Sequence, residues 1–221
     1  MCREAPYIKN PQPASFHHFI TNIAKSIRAR LLNIARAENK TFQLILIRYF
    51  HERFLYRLSI SQFCRNFILK GGTLLYIYYR EKTRPTKDID FLGLNIPNQT
   101  ISLKKVFSEI CSIDYPYDGV KFYVESIMVE EIADHEEYQG IRLLIDASLD
   151  TAIQKLQIDV GFGDIMIPDP VDLKYPVFFP DLYSPIIRAY SPETVIAEKF
   201  EAMIDLSVIN SRMKDFYDVY Q

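Results

Sequence analysis

A chain of 221 residues with 48% hydrophobic and 24% charged side chains can bury a full core, which excludes an intrinsically disordered protein. Its 26 basic residues against 28 acidic ones leave a net charge of −2. That balance excludes an overall basic surface, so any nucleic-acid contact has to use a local patch.

Residues 1 to 13 hold charges and prolines and read as an irregular lead-in without an apolar run of signal-peptide length. From Ser15 to Arg36 the apolar positions Phe16, Phe19, Ile20, Ile23, Ile27, Leu31 and Ile34 recur at helical spacing, with Lys25, Arg28, Arg30 and Arg36 between them. A second helix is expected from Thr41 to Arg57 and a third from Ser59 to Phe67. His17, His18 and His51 lie on these helices without acidic or cysteine partners at metal spacing, and read as surface or interfacial residues.

Next comes Lys70 to Leu92, KGGTLLYIYYREKTRPTKDIDFL. Gly71 and Gly72 open a helix from Thr73 to Tyr79; glycines there let backbone N–H groups approach a phosphate at a helix N-terminus, where the dipole favours an anion. A basic turn around Pro85 leads to the strand Asp88-Ile89-Asp90-Phe91-Leu92. Strand side chains alternate, so Asp88 and Asp90 share one face while Ile89 and Phe91 take the other. Two carboxylates so close repel unless a cation joins them, and hard oxygen ligands suit Mg²⁺ or Mn²⁺.

A helix follows from Ile101 to Ile113, then a meander of antiparallel strands at Lys121–Val129, Ile141–Leu149 and Ala152–Val160. In the last of these Asp159 is an acid between Ile158 and Val160. Residues 164 to 185 are proline-rich and read as a long connection. Ser191-Pro192-Glu193 starts a helix running to Leu206, with Val195, Ile196, Phe200, Met203 and Ile204 inward, and Arg212 to Tyr220 forms a last one. The cysteines, Cys2, Cys64 and Cys111, are far apart with no C-x-x-C spacing, which argues against a disulfide framework or a zinc site. No stretch of roughly 18 apolar residues occurs, so no membrane is involved and a cytoplasmic location is expected.

The segments Lys70-Gly71-Gly72-Thr73-Leu74-Leu75 and Arg84-Pro85-Thr86-Lys87-Asp88-Ile89-Asp90 resemble the polymerase-β-type nucleotidyltransferases, and in particular the AbiEii/AbiGii toxin family. SPETVIAEKFEAM and NSRMKDFYDVY extend the resemblance. It implies an α+β (mixed α/β) fold of the polymerase-β type: an N-terminal helical layer in residues 1–66, a mixed twisted sheet in 67–185, and C-terminal helices over the cleft in 186–221. It also implies NMP transfer from an NTP to a hydroxyl of a tRNA-like or other RNA, or of a protein, in a toxin with a cognate antitoxin. Asp88, Asp90 and Asp159 would hold the metal, with Asp164 second choice to Asp159. Lys70, Gly71, Gly72, Thr73, Arg84 and Lys199 would bind the nucleotide, and Lys199 and Asp215 would act in the active site. Many relatives continue for several helices past the point reached by Gln221.

Rival readings are a glycosyltransferase, which would place a βα series before its D-x-D, and a haloacid-dehalogenase-type phosphatase, which needs a small or hydroxyl residue where Leu92 stands. A catalytically silent family member acting by protein binding is the non-enzymatic alternative.

Overall fold

The helical spacing of the first sixty residues becomes α1 (Pro13–Ala37) and α2 (Phe42–Ile60) in the computed structural model, which describes residues 13–134, 138–163, 166–206 and 216–218. Thr41 caps α2, its Oγ1 accepting from the Leu44 N–H at 3.4 Å. The expected third helix is absent. A turn occupies 61–66 and Phe67–Lys70 is strand β1. Phe67, Ile68 and Leu69 are all buried, and a short run buried on every side has no period to separate strand from helix.

Beyond β1 come α3 (Gly71–Tyr79), a 3₁₀ turn at Arg80–Lys82, β2 (Asp88–Gly93), α4 (Thr100–Cys111), β3 (Val120–Asp134), β4 (Tyr138–Leu149), β5 (Ala152–Gly161), β6 (Val171–Lys174), β7 (Ile186–Ala189) and α5 (Pro192–Leu206). The strands form a seven-stranded mixed sheet in the order β3-β4-β5-β2-β1-β7-β6. β3, β4 and β5 are the expected antiparallel meander, but β5 joins β2 in parallel, and β1 lies antiparallel to β2 and parallel to β7. The connection over 164–185 is more regular than its prolines suggest, since it contains β6, and the sheet extends past residue 185 to take in β7. Its aromatic residues anchor it: Tyr175 and Phe179 are buried, and the Phe178 N–H donates to Glu52 Oε2 at 2.8 Å.

Beneath α2 lies a buried set of charges. The Arg57 guanidinium donates to both oxygens of Asp118, at 2.7 and 3.3 Å, and to the carbonyls of Arg53, Ile113 and Val120, while Asp118 Oδ1 also accepts from the Val120 N–H at 2.9 Å. Beside it Glu52 Oε1 lies 2.8 Å from Arg53 Nη2.

Cys111 is a buried free thiol. Of the histidines read as surface or interfacial, His51 is buried between α2 and α3, with Nδ1 3.4 Å from the Thr73 hydroxyl, which is the interfacial alternative; the side chains of His17 and His18 lie outside the described residues. One further expectation is corrected. On α5, capped where Ser191 Oγ accepts from the Thr194 N–H at 3.2 Å, the buried face carries Thr194, Val195 and Lys199, while Ile196, Phe200 and Ile204 are exposed and Met203 is half-buried. That apolar row has core-like spacing, but the face turned inward is the neighbouring one, which carries the ionic contacts of Glu198 and Lys199. Of the last expected helix only Phe216–Asp218 is described, and it is helical. Among the described residues no helix is long and apolar enough to cross a membrane.

Candidate active site

Alternation along β2 buries Ile89 and Phe91 and leaves Asp88 and Asp90 on the other face, as read from the sequence. β5 repeats the pattern, with Ile158 and Val160 buried about Asp159. Strand register then sets four charges in one row across neighbouring strands: Arg142 on β4, Asp159 on β5, Asp90 on β2 and Lys70 on β1. Two acids stand in the middle, flanked by two bases. With Asp88 two residues back along β2, the three carboxylates each bring an oxygen within 4.8 Å of the others.

The glycine pair sits against these acids. Gly71 opens α3 at φ +66°, a conformation that L side chains rarely adopt, and a Cβ there would overlap Asp90 Oδ2. A Cβ on Gly72 would come within 2.9 Å of Thr86, whose hydroxyl donates to Asp88 Oδ1. The first turn of a nine-residue helix therefore presents its backbone beside the triad. The hydroxyl of buried Thr73 donates to the Asp88 carbonyl at 2.8 Å and fixes the start of β2. α3 and the loop before β2 also border a cavity of about 70 Å³, lined by His51, Gly72, Thr73, Tyr76, Arg84 and Thr86 among others.

The cations expected to meet phosphate are here bonded to carboxylates. Lys70 Nζ lies 2.6 Å from Glu198 Oε1. Lys199 Nζ donates to Asp218 Oδ2 at 2.8 Å, and Arg84 donates to the same carboxylate at 3.2 Å. Lys199 is thus buried rather than solvated. Asp215 and Asp164 lie outside the described residues.

Burial pushes the Asp90 carboxyl up to about 7; the charges of Asp88 and Asp159 add to this, Lys70 opposes it, and Glu198 adds a little more. A carboxyl forced up by its neighbours gains from a shared cation, and a cluster of hard oxygen donors suits Mg²⁺ or Mn²⁺, so these residues fit a divalent metal. His51 is held neutral by burial, its pKa lowered to about 4 despite the attraction of Asp88, with Nδ1 3.4 Å from the Thr73 hydroxyl.

The family model for the nucleotidyl transferase AbiEii toxin of type IV toxin–antitoxin systems matches residues 53–221. The chain belongs to the AbiEii family. Two solved structures from Helicobacter pylori are similar to it: a proposed nucleotidyltransferase, 18% identical with a TM-score of 0.46, and JHP933, 15% identical with a TM-score of 0.47. The matches cover 75% and 76% of this chain, which spans about three fifths of each of those proteins, 62% and 61%. Among curated proteins none matches.

The AbiEii match includes the glycine pair, every strand of the sheet and α5. Within this AbiEii-family site, sequence reasoning missed three residues: Arg142 on Asp159, Glu198 on Lys70, and Asp218, the second acid of K-D-F-Y-D, on Lys199. Asp218 had a local signal, the repeat of aspartate three residues after Asp215; Arg142 and Glu198 had none, because both pair across the fold.

Proposed function

We propose that this chain transfers NMP from an NTP to a hydroxyl of an RNA, tRNA-like, or protein acceptor, acting in the cytoplasm as the toxin of a pair with a cognate antitoxin. The observation that carries the reading is the Asp88–Asp90–Asp159 cluster set against the first turn of α3. The three carboxylates would hold Mg²⁺ or Mn²⁺, which when bound supplies Lewis-acid stabilisation of the phosphate charge and activates the acceptor hydroxyl.

Gly71, Gly72 and Thr73 offer backbone N–H groups to the β- and γ-phosphates. Lys70, Arg84 and Lys199 offset the triphosphate charge by exchanging the carboxylates of Glu198 and Asp218 for phosphate oxygens. Asp159 takes the proton of the acceptor hydroxyl while the hydroxyl oxygen bonds to the α-phosphorus; the bond from that phosphorus to the bridging oxygen of the β-phosphate breaks and pyrophosphate leaves. Asp215, three residues before Asp218 in K-D-F-Y-D, would help to orient Lys199 or the base.

The test is release of pyrophosphate from each NTP in turn with Mg²⁺, with and without bulk tRNA or protein as acceptor. Release from at least one NTP is expected, falling by roughly 10²-fold or more in Asp159→Asn, the range for a positioned base. No release from any NTP with Mg²⁺ or Mn²⁺ and either acceptor overturns the reading.

A further inference from the structure

We propose that Arg142 is a positioning residue that restrains Asp159 until a divalent cation takes the carboxylate over, and so sets the metal affinity of the triad. The inference rests on the reading of the triad as a metal site. Arg142 on β4 stands opposite Asp159 on β5 in the antiparallel register. Its Nε donates to Oδ1 and its Nη2 to Oδ2, each at 2.8 Å, and Gln157 Nε2 adds a third bond to Oδ2 at 3.1 Å. Both oxygens of Asp159 are therefore engaged, and the planar fork fixes the plane of the carboxylate as well as its position.

Ligation asks for the same oxygens. The triad brings one oxygen of each acid within 4.8 Å of the others. Asp159 is held by two planar bonds on the side of β4, whereas Asp88 and Asp90 sit on β2. A cation shared with β2 has to draw on an Asp159 oxygen that the guanidinium already holds, which weakens at least one bond of the fork. The pair can open, because 36% of the Arg142 side chain and 19% of the Asp159 side chain are exposed. Meanwhile the guanidinium neutralises one of the three acids, so the metal-free site is less repulsive than its composition suggests.

Mn²⁺ binding without nucleotide, measured by calorimetry on the full chain, tests this, with far-UV circular dichroism to verify folding. Arg142→Lys keeps the charge but not the fork, and should bind Mn²⁺ roughly three- to tenfold more tightly than the parent, the worth of one part-exposed ion pair. Arg142→Ala should bind at least as tightly; if it fails to fold, the lysine variant carries the test. In an Asp159→Asn background Arg142→Lys should change nothing. Parent-like affinity in Arg142→Lys would reduce the pair to a cross-strand contact, and weaker affinity would mean that the arginine assists ligation; either overturns the proposal alone. A parent that binds no Mn²⁺ removes the metal reading itself and this proposal with it.

Discussion

The charges under α2 and the charges at the cleft are oppositely managed. Arg57 and Asp118 satisfy each other, the guanidinium also finding three carbonyls, and the pair closes with 3% and 0% side-chain exposure. At the cleft three acids crowd together while the bases near them are spread among Glu198, Asp218 and Asp159. A fold gains from the first arrangement and has no use for the second. The crowding of Asp88, Asp90 and Asp159 persists because β2 and β5 are fixed by their apolar faces, and it leaves an electrostatic deficit that a bound cation would remove.

Breaking the closed pair should have the largest effect. Asp118→Ala strands the buried Arg57 charge and should cost about 3–5 kcal/mol in urea denaturation. A loss below 1 kcal/mol would show that water reaches the site, and the contrast between the two regions would fail.

Lys199 tests where the boundary between the regions falls, since its bond to Asp218 is nearly as buried as the structural ones but Asp218 also has Arg84. If the lysine serves the triphosphate, Lys199→Ala should weaken NTP binding about ten- to a hundredfold, the equivalent of about 1.5–3 kcal/mol for a charge-assisted bond. Its loss of folding stability should be smaller than that of Asp118→Ala. Unchanged NTP affinity with a large loss of stability would move Lys199 into the structural set.

Local periodicity made much of this molecule legible. The alternation about Asp88, Asp90 and Asp159, the glycines that open α3 and the cap at Ser191 are all set by neighbours along the chain, and the structure places them as expected. What was not legible depends on pairing across the fold. Phe67–Lys70 becomes a strand because β2 and β7 hydrogen-bond to it. The α5 face follows Glu198 and Lys199 rather than the apolar row Ile196-Phe200-Ile204. Arg142 reaches Asp159 through strand register, which one sequence does not reveal.

Gly71→Ala should strike the cleft through its backbone. The positive φ alone costs about 1–2 kcal/mol, and the added Cβ displaces Asp90. Melting with and without Mg²⁺ should show a lower midpoint and no stabilisation by the ion. Retained Mg²⁺ stabilisation would mean that Asp90 is not a ligand.

The finest comparison uses two carboxyls that share a pKa and differ in cause. Burial raises Glu52 to about 7, with Arg53 and the Phe178 N–H opposing, while Asp90 reaches about 7 through burial and the like charges of Asp88 and Asp159. A carboxyl raised in the folded state favours folding while protonated, so each contribution is present below the unfolded value near pH 4 and is lost as pH rises through about 7. His51, lowered to about 4, costs stability as pH falls below about 6.5, so the parent profile mixes opposing slopes. The difference between each variant and the parent cancels what they share. Glu52→Gln and Asp90→Asn should each match the parent near pH 4 and exceed it above pH 7, by on the order of 1–2 kcal/mol. Mg²⁺ separates them: at pH 8 it should erase the advantage of Asp90→Asn by stabilising the parent, and leave that of Glu52→Gln intact. If Mg²⁺ leaves both differences unchanged, the raised Asp90 belongs to the fold like Glu52, and the cleft is not a cation site.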